Sequence, residues 1–338
     1  MGALYGILRC RGQMKNIIPY AASILLLSSP GLALACSGNA VPGISFLADD
    51  PAQDRPLSLS IWYPSEGGTS VEIGGNAVFS GTEAALEAPA VCGPLPLILL
   101  SHGGLRSAAD SGAWLAAAMA KKQFLVVEIN ARAPSTAQEA TSEIWRRRRD
   151  ISRALDMILS DTVWAGHVDQ QRISVVGFAL GGTAALTVAG IEFDAMKYLG
   201  ACIGPDAEGP DCGWYARQGV ALGSVDRARL SQPGRDGRIA SAVAIAPEYP
   251  SAFHREENAA AAVLVIALGQ QSGLEALPVR HALVPEAQTF DAFASCTDVG
   301  SKILLDEGED PALCGEGLNV RADIHEQIAD IIGEFLAD

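Results

Sequence analysis

Arg172-Ile-Ser-Val-Val-Gly-Phe-Ala-Leu-Gly-Gly-Thr-Ala-Ala-Leu186 joins a β-branched run, a glycine-bounded pentapeptide and a run of small residues without a break. Ile173 to Val176 reads as a strand, Gly177 to Gly181 as a sharp turn, and the residues beyond as a helix ending near Gly190. This is the grammar of the G-x-S-x-G elbow, where a strand turns abruptly into a helix and throws the middle residue clear of both. Glycine suits both outer positions, because so tight a turn leaves no room for side chains there. The middle position, where an acyl-transfer enzyme carries its serine, is Ala179. A methyl group is not a nucleophile.

Working outward, Leu97-Ile-Leu-Leu-Ser101 is a continuous apolar run, as expected of a parallel strand covered on both faces. It runs into His102-Gly103-Gly104-Leu105, and helical spacing follows over 108–122. Phe124 to Ile129 predicts the next buried strand, and Ser142 to Leu159 the next helix. After the elbow helix, 191–237 carries Gly, Asp and Cys with weak periodicity and reads as an insertion. Strands at 240–246 and 262–268 and a last helix over 322–336 complete the alternation. Upstream, Gly43 to Phe46 and the alternating Leu57-Ser-Leu-Ser-Ile-Trp-Tyr63 read as strands, and 67–93 as a loop. Strands alternating with helices predict an α/β fold with a mostly parallel sheet, here one domain over 36–338.

The first 35 residues read as a signal peptide. Arg9, Arg11 and Lys15 precede an apolar run from Ile17 to Leu34 that ends in Ala33-Leu34-Ala35, a small-x-small cleavage signal. Pro19, Ser23, Ser28, Ser29 and Pro30 interrupt that run, which argues against a membrane-spanning anchor. The expectation is a periplasmic or secreted protein. Cys36 raises a lipoprotein alternative, weakened by Ala33 standing where a lipobox has Leu. Three of the 24 basic residues and none of the 39 acidic ones lie in 1–35, so the mature chain has 24 − 3 = 21 basic residues and a net charge of 21 − 39 = −18. Such acidity disfavours nucleic acid and anionic membrane surfaces as partners. The one basic run, Arg146 to Arg149, is expected on the solvated face of a helix. Six mature cysteines in an exported chain read as disulfides, since no C-x-x-C pair or histidine cluster suggests a metal, and no cofactor motif is present.

From Gly43 onward the chain resembles the α/β-hydrolase family, in particular its exported bacterial dienelactone-hydrolase-like and platelet-activating-factor-acetylhydrolase-like members. The matching pieces occur in the family's order. They are Arg55-Pro56 with Ile61-Trp62-Tyr63-Pro64, then Leu97 to Gly104 as the oxyanion loop, Trp145 to Leu155, Val168 to Ile173 with the elbow, Ala244-Ile-Ala-Pro247, Phe293-x-x-Cys296, and Arg321-x-x-x-His325. The resemblance implies a carboxylic-ester-hydrolase ancestry and a Ser, Asp or Glu, His triad in that chain order.

Against that pattern the triad is degenerate. The acid usual after the strand at 262–268 is missing from Gly269-Gln-Gln-Ser-Gly273, which leaves Glu248, one strand earlier, as the candidate. The family's histidine stands about seven residues before the cysteine of Phe-x-x-Cys; counting back from Cys296 gives Thr289. Of the histidines present, His102 is expected to prop the oxyanion loop and His325 to pack in the last helix. His167, His254 and His281 are expected in solvated positions, with His281 the one candidate for a displaced base. A deliberate Ser-to-Ala replacement accounts for one lost position and not for three, so the loss reads as natural. The oxyanion hole is backbone, and Leu180 N–H with the His102-Gly103-Gly104-Leu105 loop is expected to hold a small carbonyl or ester-like ligand. The expected function is a catalytically degenerate binding or accessory protein; the alternative is an ester or acyl hydrolase with a relocated triad, or an inactivated variant of one. The resemblance also implies disulfides Cys202–Cys212 and Cys296–Cys314, leaving Cys36 and Cys92 to pair by elimination.

Overall fold

The strand that leads into the elbow lies inside a ten-stranded sheet. A computed structural model describes residues 41–90, 93–105, 107–204, 211–254, 261–315 and 317–337, all within one unit that spans 36–338. Cys36, Cys92 and the leader lie outside the described residues. In chain order the strands are β1 (Gly43–Ala48), β2 (Leu57–Tyr63), β3 (Thr69–Ile73), β4 (Thr82–Leu86), β5 (Leu95–Ser101), β6 (Leu125–Ala131), β7 (Val168–Phe178), β8 (Ser241–Ile245), β9 (Ala262–Leu268) and β10 (Arg280–Val284). They lie side by side as β10-β9-β8-β7-β5-β6-β2-β1-β4-β3. From β6 through β10 all neighbours are parallel. β2 is antiparallel to both β6 and β1, and the outer pair β3–β4 is antiparallel.

The helices are α1 (Ala113–Lys121), α2 (Ala137–Ala140), α3 (Glu143–Ser160), α4 (Leu180–Ala189), α5 (Ala195–Gly200), α6 (Cys212–Arg217), α7 (Arg227–Leu230), α8 (Gly300–Asp306) and α9 (Leu318–Ala337). Alternate side chains of β5 explain its unbroken apolar run. Leu97 and Leu99 pack with α3 and α4 on one face, while Ile98 and Leu100 pack with α1 and α9 on the other. On α9, Ile324, Ile328 and Ile332 form a fully buried stripe, each worth roughly 1.5–3 kcal/mol over an exposed position.

Two expectations need correction, and one strand was not anticipated. The stretch 67–93 is not one loop but carries β3 and β4, whose pattern is weak because β3 is the exposed edge strand and its neighbour β4 is half-exposed. β10, paired on one side only and largely exposed, also lacks an apolar signature. The insertion is helical. Tyr198, Leu199, Tyr215, Leu222 and Leu230 form a third cluster with Ile144, Trp145, Leu105 and Leu180, so this segment packs directly over the elbow. Disulfides Cys202–Cys212 and Cys296–Cys314 are present, with Cα atoms 5.2 and 5.4 Å apart.

Candidate active site at the elbow

Ala179 sits between β7 and α4 with φ 53° and ψ −122°, a conformation that costs a non-glycine residue on the order of 1–3 kcal/mol. The surroundings enforce it. Ala179 N–H donates to Ile245 O (3.0 Å), while Ala179 O accepts from Thr183 N–H (3.1 Å) and Glu248 N–H (3.3 Å). A Cβ on Gly177 would overlap the Gly181 carbonyl, and one on Gly181 the Ser101 carbonyl. The backbone is therefore that of a working elbow, and it presents only a methyl group, 8% exposed.

The loop after β5 is held against it. Gly103 adopts φ 85°, and its carbonyl accepts from Gly181 N–H at 3.4 Å. Arg147 of α3 donates to Gly103 O at 2.7 Å and to Gly104 O at 2.6 Å, so a guanidinium fixes two successive carbonyls. The basic run is thus not a solvated face. Arg148 is buried and donates to Arg229 O, Arg147 clamps the loop, and only Arg149 of the four is exposed. These arginines bury because backbone carbonyls of the loop and insertion need donors, a demand that no pattern in the run itself reveals. Leu105 is buried between the loop and the insertion.

His102 does not face the elbow as a base. Its Nδ1 meets Ser111 Oγ at 3.2 Å and its Nε2 meets Ala292 O at 2.9 Å. Desolvation lowers its pKa to about 4, so the neutral ring donates from Nε2 to Ala292 O and ties the loop to the segment after β10. His325 stacks on Trp114 with centroids 3.6 Å apart and bonds Phe293 O; burial lowers it to about 4 as well. His281 lies exposed on β10 against Leu277 O. His254 is exposed, and His167 lies beside Trp164.

The group that does reach the elbow is Glu248. Its backbone is anchored at both ends, by Glu248 N–H to Ala179 O and by Thr183 Oγ1 to Glu248 O at 2.6 Å. Its carboxyl lies near Leu180 N–H, the donor expected to meet a ligand's carbonyl oxygen. Oε1 lies near Gly104, and Oε2 is buried without a hydrogen-bond partner. Desolvation and, second, the nearby Asp211 charge push its pKa up to about 8, against the opposing effects of Arg147 and the nearby Leu180 N–H. At neutral pH this carboxyl is mostly protonated.

Two cavities meet here. One of about 320 Å³ is lined by Ala179, Glu248, Gln271 and Thr289 among others; the larger, about 510 Å³, is lined by Leu105, Ser107, Phe79, Asp211 and Leu313 among others. Gly104, Glu248, Phe290 and Phe293 border both. The elbow, the candidate acid and Thr289 thus face one space, and no histidine lines either cavity among the described residues. The Thr289 segment is fixed from behind by Arg321, fully buried, which donates to Asp291 Oδ1 (3.1 Å) and Ala294 O (3.0 Å). Asp291 in turn accepts from Gln288 N–H. Among the described residues no group of three His, Cys, Asp or Glu is placed to hold a metal ion, and no helix is long and apolar enough to cross a membrane.

No protein-family model matches the chain, and no curated protein matches it by sequence. Among solved structures it is similar to a ferulic acid esterase from Streptomyces cinnamoneus, at TM-score 0.53 and 16% identity, covering 90% of this chain and 91% of that one. At that identity the likeness speaks for the fold: a mostly parallel sheet flanked by helices, the α/β-hydrolase fold.

Proposed function

We propose that the mature chain is an exported α/β-hydrolase-fold protein, of dienelactone-hydrolase-like descent, that has lost serine catalysis and serves as a binding or accessory protein for a small molecule. The observation that carries this is the elbow. The strained backbone persists at Ala179 with no hydroxyl to present, and the adjoining cavities have no histidine among their described lining residues. An acyl-transfer triad needs both a nucleophile and a base within hydrogen-bond reach of it. The two cavities together are of a size to take a small ligand. Export is supported by the leader pattern and by two disulfides, which persist in oxidising compartments. N-terminal sequencing of the exported protein is expected to begin at Cys36; a chain beginning at Met1, or a lipid-modified Cys36, would count against it.

The test is turnover. Purified mature protein is expected to hydrolyse p-nitrophenyl acetate no faster than a buffer blank, and a rate of about 1 s⁻¹ or more would refute the loss of catalysis. A second reading, an ester hydrolase using an unconventional base, is favoured by one feature, the Glu248 carboxyl with its pKa raised to about 8 beside the elbow. Loss of such turnover in Glu248→Gln would establish it.

A further inference from the structure

The basic run on α3 carries more charge than its surroundings answer. A pocket of about 150 Å³ opens beside α3, where the 53–55 segment and α7 approach it, and Arg146, Arg149 and Arg229 line it together with Trp145. We propose that this pocket binds a small tetrahedral dianion, inorganic phosphate or a phosphate monoester, through those three guanidiniums. The site lies outside the elbow cavities and does not rest on what the elbow does.

The helix supplies the basic face. Trp145, Arg149 and Arg153 recur at i, i+4 and i+8 on α3 and so share one side of it, with Arg146 next to Trp145. The indole of Trp145 is buried, and the guanidinium carbons of Arg146, Arg149 and Arg229 lie 5.5, 5.8 and 4.9 Å from its ring centroid. Each such contact is favourable alone; together they gather three like charges around one ring. The backbone of Arg229 is fastened there, because Arg148 donates to Arg229 O at 2.7 Å and to Leu230 O at 3.2 Å. Arg55 fixes the floor, with two bonds to Glu143 at 2.7 and 2.9 Å and one to Asp150 at 2.7 Å.

Counting the ion pairs shows what is missing. Arg55, Arg147 and Arg153 are balanced by Glu143, Asp150 and Asp49. Arg146 shares Glu139 with Arg132, at 3.4 and 3.3 Å, and Arg229 has Asp226 at 3.3 Å. Among the described residues no carboxylate lies within ion-pair reach of Arg148 or Arg149: the first bonds only carbonyls, and the second meets only the Trp145 ring. Three guanidinium charges are left over, and Asp54, exposed at the rim, offsets one of them. The remaining surplus is the charge of one dianion. Burial and, second, the charge of Arg149 lower the pKa of Arg148, as befits a cation without a counterion.

The ligand class follows from the donors and the rim. Guanidinium forks match oxyanions in planar, two-bond geometry, which a lone halide cannot exploit. The volume equals about five waters' share of the liquid, room for a tetrahedral oxyanion. An extended anionic surface is disfavoured, because Asp54, Asp226 and Glu139 stand around the pocket and the mature chain is strongly acidic. At physiological salt charges are screened beyond about 8 Å. A small anion inside the pocket therefore feels the guanidiniums, whereas a plane of phosphates also meets the carboxylates.

The experiment is calorimetric titration of the mature protein at constant ionic strength with inorganic phosphate, glycerol phosphate, acetate and chloride. One of the two phosphates is expected to saturate a single site with Kd below about 1 mM, and the tighter of them names the source. Acetate and chloride are expected to bind about tenfold more weakly or less, as the loss of a charged hydrogen bond implies. Arg149→Ala and Arg229→Ala, both at exposed positions, are each expected to weaken phosphate by about tenfold with the ligand-free melting temperature unchanged. Arg172→Ala removes an exposed arginine paired with Asp169 elsewhere on the surface, and is expected to leave the affinity as it was. Anionic phosphatidylglycerol vesicles at about 0.15 M salt are expected not to sediment the protein. No saturation by either phosphate at millimolar concentration overturns the proposal. So do acetate binding as tightly as phosphate, unchanged affinity in both pocket variants, an equal loss in Arg172→Ala, or sedimentation with the vesicles.

Discussion

Restoring the missing hydroxyl is the sharpest perturbation of this site. Ala179→Ser puts Oγ at the apex of an elbow whose backbone already has φ 53°, so the new side chain needs no rearrangement to project into the cavity of about 320 Å³. What it lacks is a base. His102 is bonded to Ser111 and Ala292, His325 is stacked on Trp114, and His281 lies on the exposed edge strand. In a comparable triad, losing the histidine costs a factor of about 10⁶ in kcat, and a typical enzyme turns over at about 10 s⁻¹. The single variant is then expected near 10⁻⁵ s⁻¹ (the quotient of those two figures), about one turnover a day. The assay is p-nitrophenyl acetate hydrolysis with a burst measurement to detect acyl-enzyme. Ala179→Ser with Thr289→His is expected to exceed the single variant, because position 289 lines the same cavity. A rate near 1 s⁻¹ from Ala179→Ser alone would refute the reasoning and identify Glu248, with its pKa raised to about 8, as a working base.

Arg321→Ala should destabilise the fold by about 3–5 kcal/mol, since it leaves Asp291 buried without its partner; denaturant unfolding measures this, and a loss below about 1 kcal/mol would place the pair among inconsequential ones. Thermal stability should fall as pH rises from 6.5 to 8. Glu128 and Glu248 are raised from 4.5 to about 8, so their contribution is fully present below 4.5 and lost as pH climbs through 8. His102 and His325 are lowered from 6.5 to about 4 and remove stability only as pH falls below 6.5. A melting temperature that rises between pH 6.5 and 8, or a slope that Glu248→Gln leaves unchanged, would contradict this.

The fold was legible because its central strands are buried on both faces. Leu97 to Ser101, Phe124 to Ile129 and Ile173 to Val176 announce themselves as apolar runs, and Gly177 and Gly181 mark the turn that only glycine permits. The sheet's two ends were not legible: the edge strands β3 and β10, and β4 beside β3, mix polar and apolar residues because each is half in water. Position 289 was reached by counting from Cys296, and the structure places Thr289 in one cavity with Ala179 and Glu248. The electrostatics of the site were hidden. Nothing in Arg146 to Arg149 distinguishes the arginine that clamps Gly103 and Gly104 from the one left in water, because the difference lies in carbonyls some 40 residues away. That Glu248 would be held at the elbow likewise depends on its N–H bonding Ala179 O and on Thr183 Oγ1 bonding its carbonyl, which no local pattern encodes.

Persistence of the strained elbow without its serine can be tested through stability alone. At an ordinary buried helical position, Ala→Gly removes a methyl worth about 0.8 kcal/mol and adds about 1 kcal/mol of glycine penalty. Ala185, fully buried within α4, should therefore lose about 2 kcal/mol on Ala185→Gly. Ala179→Gly loses the same methyl and a chain-entropy cost of about 0.4–1 kcal/mol. It also recovers the strain of a positive φ, about 1–3 kcal/mol. The balance falls between a loss of about 1 and a gain of about 2 kcal/mol, centred slightly on the side of stabilisation. Urea unfolding of the two variants side by side measures the difference, and equal losses would show that Ala179 carries no strain. If the strain is real, selection has kept a cost that no hydroxyl explains. The structural consequence left to explain it is that Ala179 O meets both Thr183 N–H and Glu248 N–H, which depends on the turn at Ala179 and not on the identity of its side chain.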